Sequence, residues 1–115
     1  MLIFKIFHSP EWAELRAQGT TLGAPIDLAD GYIHFSTLDQ AGETAAKHFA
    51  DADDLMLVAV EADDLGEPLK WEVSRGGALF PHLYAPLQLS DVRWAQPLPL
   101  VNGKHTFPPG LSDAS

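Results

Sequence analysis

The chain has 115 residues, and its 7 Lys and Arg stand against 16 Asp and Glu, a formal net charge of −9; such a surface repels phosphate backbones and argues against nucleic acid as a partner. Its 46% hydrophobic and 20% charged residues are an ordinary globular mix, and folding buries roughly 65% of the unfolded surface at this length, enough for one core without metals or disulfides. Cysteine is absent, which excludes disulfide scaffolds, thiol catalysis and thiolate metal sites, and no apolar run approaches the ~20 residues that span a bilayer.

Met1–Phe7 is apolar except for Lys5 and stops at His8-Ser9-Pro10-Glu11. This is shorter than a secretory signal, so a cytoplasmic protein without a membrane partner is expected. Leu2–Phe7 reads as a strand. Ser9 has the chemistry of a helix N-cap, with Pro10 at the first helical position. The helix carries Trp12 and Leu15 on one face and stops near Gly19. Thr20–Asp30 reads as a loop. Asp30-Gly31 is a turn, and Tyr32–Ser36 then alternates, with Tyr32, His34 and Ser36 on one face and Ile33 and Phe35 on the other. Thr37 and Gln40 have capping-box spacing before a helix over about Leu38 to Phe49.

Leu55–Val60 is nearly all apolar and predicts a central strand buried on both faces. Asp63–Pro68 is a turn, Leu69–Ser74 an alternating strand, and Arg75-Gly76-Gly77 a break. Phe80–Leu89 and Val92–Leu98 predict two more strands, bent or pushed to edges by Pro81, Pro86 and Pro97. Asn102-Gly103 suits a terminal hairpin, and Pro108–Ser115 a loose tail. The expectation is an α+β domain over 1–101 with a mostly antiparallel sheet and two helices, both in the N-terminal half, and a hairpin or tail over 102–115. No glycine-rich phosphate loop is present, which excludes the common dinucleotide and P-loop folds.

Three stretches carry candidate chemistry. Gly31-Tyr32-Ile33-His34-Phe35-Ser36-Thr37 puts an imidazole and two hydroxyls at a strand-to-helix junction. There His34 suits a ribose hydroxyl or a proton shuttle; the plain alternative is a structural hydrogen bond beside a helix cap. In Phe80-Pro81-His82-Leu83-Tyr84, His82 and Tyr84 share one side of an extended chain, for ligand binding, proton transfer or a buried His–Tyr bond. In Trp71-Glu72-Val73-Ser74-Arg75-Gly76-Gly77, Glu72 suits developing positive charge if it faces a cleft, and Arg75 a phosphate or carboxylate; both are otherwise surface residues. His34, His82 and Glu72 form a metal set only if the fold joins them. His8, His48 and His105 read as surface or cap residues, and Trp12, Trp71 and Trp94 as core.

Together, Ile3-Phe4-Lys5-Ile6 with Trp12, Asp30-Gly31-Tyr32-Ile33-His34-Phe35-Ser36-Thr37 with Gln40, and Phe80-Pro81-His82-Leu83-Tyr84 resemble the family of small, mostly bacterial proteins termed domain of unknown function 952, over about Ile3 to Leu98. The family's polar signature falls on His34, Ser36, Gln40, Glu72, His82 and Tyr84. The resemblance implies an ADP-ribosyltransferase-like fold, a split antiparallel sheet around an NAD cleft. With the three stretches above, it makes His34, Glu72 and His82 the catalytic candidates, with Ser36, Thr37, Gln40, Arg75 and Tyr84 toward a bound NAD or other nucleotide; no metal is expected, because neither H-x-H nor H-E-x-x-H spacing occurs. In such transferases the tyrosine precedes the glutamate; here Glu72 precedes Tyr84. The competing expectation is a non-catalytic module that binds a small molecule or peptide in the same cleft.

Overall fold

Strand β1 (Leu2–His8) is buried on both faces through its middle, because it runs along one side of the central strand β4 (Leu55–Glu61). The two are antiparallel in unbroken register from Leu2↔Glu61 to His8↔Leu55. Strand β8 (Val92–Leu98) pairs with the other edge of β4, with an irregularity between Ala59 and Val60. The computed structural model describes residues 1–108, apart from the side chain of Arg75. Alternation along β1 and β4 divides the core. Ile3, Phe7, Val58 and Val60 face one cluster, which Leu15 of helix α1 (Ser9–Gln18) joins. Phe4, Ile6, Leu57 and Ala59 face a second, which Ala45 of helix α3 (Leu38–His48) closes. Each large side chain buried in this way contributes roughly 1.5–3 kcal/mol.

A second three-stranded sheet has the order β3-β6-β5, from β3 (Ile33–His34), β6 (Leu79–Leu83) and β5 (Leu69–Val73). Ser36 joins it to the first sheet: Phe4 N–H donates to Ser36 O and Ser36 N–H to Phe4 O, both at 2.8 Å. Every described strand pairing is antiparallel, so the α+β architecture holds. Among the described residues no helix is long and apolar enough to cross a membrane.

Several expectations need correction. His8, not Ser9, is the N-cap of α1; the Ser9 hydroxyl donates to Asp54 O at 2.8 Å. The stretch from Thr20 to Asp30 is not a loop. It holds strand β2 (Thr20–Thr21) and helix α2 (Pro25–Asp30), started by Pro25 and by Asp27 Oδ2, which accepts the Ala24 N–H at 2.7 Å, and ended by Gly31 at φ +85°. With a further turn of helix, α4 (Ala62–Leu65), the helices are more than two. The strand expected over Phe80–Leu89 ends at Leu83. After Pro86 the chain starts β7 (Leu87–Gln88), which pairs with β2 instead. Trp71 is 40% exposed and not core, whereas Trp12 and Trp94 pack on the two clusters. Asn102 and Gly103, both at positive φ, turn β9 (Leu100–Val101) into β10 (Lys104–His105). Residues 109–115 of the expected tail lie outside the described residues.

Candidate functional site

The β3–β6 ladder sets His34 directly opposite His82 and Ile33 opposite Leu83. Ile33 and Leu83 are buried in the core, so both imidazoles stand on the other face of the sheet. Their ring centroids are 5.4 Å apart, edge to face. Tyr32 covers the pair, stacked on His82 at 4.2 Å and tilted against His34 at 4.7 Å.

Strand β5 adds a carboxylate to this face. Glu72 Oε1 lies 2.8 Å from His82 Nδ1 and accepts the Tyr84 hydroxyl at 2.7 Å. These bonds, Tyr84's first and then His82's, hold the Glu72 carboxyl below its usual range. The same bond, with a carboxylate facing the phenol, pushes Tyr84 up to about 12. Tyr32 is raised too, first by burial and then by the charges of Asp30, Glu72 and Asp27. The result is a fixed anion among aromatic rings.

Beneath His34 runs a chain of buried charge. Lys5 projects from β1 toward α2, where its Nζ lies 2.7 Å from Asp27 Oδ2, and both side chains are closed to solvent. Asp27 Oδ1 accepts the His34 backbone N–H at 3.0 Å and lies 2.5 Å from His34 Nδ1. His34 Nε2 is 2.9 Å from Asp30 Oδ2. Burial opposes the Asp27 charge, but His34 and Lys5 overcome it and hold the carboxyl at about 2. For Lys5 burial outweighs the pull of Asp27 and Glu11, and its ammonium loses protons more readily than usual.

A cavity of about 580 Å³ opens where the two sheets meet, lined by Phe4, Lys5, His34, Phe35, Ser36, Thr44, Phe80 and His82 among others. This is the ordinary size of a small-molecule pocket. Ser36 Oγ and Thr44 Oγ1 share a 3.0 Å hydrogen bond on its wall. His82 is 3% exposed, and its Nε2 has no hydrogen-bond partner among the described residues. His34, in contrast, has carboxylate oxygens at both ring nitrogens.

The fold thus brings His34, His82, Glu72 and Tyr84 together, with Ser36 on the adjoining wall. Thr37 and Gln40 are occupied elsewhere. Gln40 Oε1 accepts the Thr37 N–H at 3.0 Å, and its Nε2 donates to Leu79 O at 2.7 Å, tying α3 to β6. Arg75 lies in the turn after β5, next to cavity-lining Ser74, and its side chain is outside the described set. Among the described residues no group of three His, Asp or Glu side chains is disposed to hold a metal ion. Tyr32, which the alternation sets on the His34 face without giving it a role, covers the pair, and Lys5, Asp27 and Asp30 carry much of the site without being sequence candidates. The available signal was Lys5 itself, a charge in a strand otherwise apolar on both faces, which requires a buried counter-charge.

A family model described as "Protein of unknown function (DUF952)" matches residues 6–95. No curated protein matches the chain. The X-ray crystal structure of protein CC0527 from Caulobacter crescentus is similar at 52% identity and a TM-score of 0.89, covering 92% of this chain and 94% of that one. The solution NMR structure of CC0527 is similar at 53% identity and a TM-score of 0.82, covering 90% of each.

Proposed function

The chain belongs to this family of proteins of unknown function, and from that footing we propose that its cleft is an ADP-ribosyltransferase-like site that binds NAD or a related nucleotide through the nicotinamide–ribose half. The observation that carries the reading is His82. It lines the cavity with Nε2 uncommitted, while Nδ1 is held by Glu72, which Tyr84 and Tyr32 flank. An anion fixed among aromatic rings suits a flat cation such as nicotinamide. It equally suits positive charge that develops at a ribose carbon when a glycosidic bond opens. In this reading Glu72 stabilises that charge and His82 Nε2 bonds a ribose hydroxyl. The meeting of two antiparallel sheets at the cavity supports the split-sheet comparison. The fit is to one half of the ligand. Lys5, the lysine of the lining, is committed to Asp27, so the diphosphate depends on Arg75 and backbone amides.

A second reading, a binding module without turnover, is favoured by His34. With carboxylates at both ring nitrogens, it is braced by the protein itself and offers no open nitrogen to a ligand.

Titration of assigned amide and histidine-ring NMR signals with NAD, and separately with nicotinamide mononucleotide, tests both. Saturable shifts at Ser36, His82 and Tyr84, weakened by Glu72→Gln, support the nucleotide reading; nicotinamide release then separates enzyme from module. Unmoved signals at millimolar concentration of either ligand end it.

A further inference from the structure

The outer edge of β5 has an unassigned feature. Among the described residues β5 is paired on one side only, with β6. Pro81 lies opposite Trp71, has no N–H, and accepts the Phe35 N–H on its carbonyl at 3.0 Å. Its backbone therefore faces β3. By the alternation of an antiparallel ladder, Lys70 and Glu72 direct their N–H and C=O groups at β6, while those of Trp71 and Val73 point outward. Apolar side chains accompany this open backbone: Trp71 is 40% exposed and Val73 69%, with Leu79, the register partner of Val73, at 52%. No proline or bulge blunts the strand, although natural edges are commonly protected in that way.

We infer that β5 pairs antiparallel with β5 of a second copy of this chain, about a two-fold axis at Trp71. The sequence Leu69-Lys70-Trp71-Glu72-Val73 is self-complementary in that register and only there. Trp71 meets its own copy, Leu69 meets Val73, and Lys70 meets Glu72 twice, once on each side of the axis. Cross-strand pairs of this kind are the stabilising unit of a sheet. The Leu69 N–H already donates to Gly66 O at 3.2 Å, so the new ladder is closed by the Trp71 groups and by the Val73 N–H to the Leu69 carbonyl. Three strands become six. The pairing also sets Lys70 of the second copy beside Glu72, adding a cation to the carboxylate that holds His82 and Tyr84. This inference rests on the edge alone and stands whether or not the cleft binds a nucleotide.

Sedimentation or light scattering of the full chain tests it. A particle of twice the 12.5 kDa chain mass is expected. Lys70→Glu and Glu72→Lys each set like charges opposite one another twice, and each weakens the dimer by about tenfold or more. An equal mixture of the two variants re-pairs opposite charges at both positions and restores the dimer, which also shows that each variant is folded. A monomer for the unaltered chain at concentrations on the order of 1 mM overturns the inference, whatever segment or partner then covers the edge. So does a dimer that both single variants leave unchanged, because it forms through another surface.

Discussion

Lys5 Nζ and Asp27 Oδ2 are 2.7 Å apart, and neither side chain is more than 5% exposed. The pair pins α2 to β1 through two residues more than twenty positions apart in sequence, and Asp27 in turn holds both the backbone and the ring of His34. One buried carboxylate thus converts a charge in the core into the placement of a histidine at the cavity. Buried ion pairs contribute little beyond an apolar pair of equal shape, yet losing one partner is costly because the other charge stays buried.

Asp27→Asn is therefore expected to destabilise the protein by about 3–5 kcal/mol, through an unpaired Lys5 ammonium. Lys5→Met combined with Asp27→Asn should recover a good part of that loss, since no charge is left uncompensated. Urea unfolding of Lys5→Met, Asp27→Asn, the double variant and the unaltered chain measures the difference. If the double variant is as unstable as the sum of the single ones, the two groups are not coupled and this account of Asp27 fails.

The sequence is legible where periodicity runs long. Alternation and apolar runs found β1, β4 and β8, and capping signals found α1 and α3, within a residue or two. Helix α2 escaped because six residues show no helical period; its signals were only Pro25 at its first position and Asp27 two residues later. His34, Glu72, His82 and Tyr84 were nominated as types on alternating strands, but that alternation cannot say which strands are neighbours. The pairing of β3 with β6 and β6 with β5 supplies that. Gln40 shows the reverse limit: its capping-box spacing is legible and its amide does serve the helix start, but the sequence does not show that the same amide also reaches the Leu79 carbonyl.

The depressed Asp27 carboxyl also predicts an acid limb. Its pKa falls from 3.8 unfolded to about 2 folded, so its contribution is fully present above about pH 4 and is lost as pH falls through about 2. Linkage puts the loss at roughly 2 kcal/mol. Asp54, Glu61 and Glu72 shift in the same direction and steepen the decline. Carboxyl NMR should find the Asp27 midpoint well below that of an ordinary aspartate. A midpoint at or above 3.8 contradicts the geometry around it.

Alkaline titration reads the Glu72 cluster. The chain has two tyrosines, and both Tyr32 and Tyr84 are raised above the usual phenol range, Tyr84 to about 12. Phenolate absorbance at pH 10 should therefore fall below that of free tyrosine, which is half ionised there, with the Tyr84 share nearly absent. Glu72→Gln removes the facing carboxylate, and the Tyr84 half of the signal should move down toward pH 10. Circular dichroism at each point guards against unfolding. An unaltered chain that titrates like free tyrosine, still folded, would show that the Tyr84–Glu72 bond does not persist in solution.

Gly23 and Gly31 flank α2, and both have positive φ, +103° and +85°, but their surroundings differ. A Cβ at Gly31 meets open space, whereas one at Gly23 strikes the Asp27 carboxylate. Gly31→Ala is thus expected to cost about 1 kcal/mol, the penalty of a left-handed alanine. Gly23→Ala adds displacement of Asp27 from Lys5 and His34, and should cost roughly 3 kcal/mol or more. The His34 ring signals discriminate further: they should shift in Gly23→Ala and hold still in Gly31→Ala. Equal losses with an unmoved His34 in both variants would mean that Asp27 can swing aside, and that the carboxylate does not fix the imidazole in place.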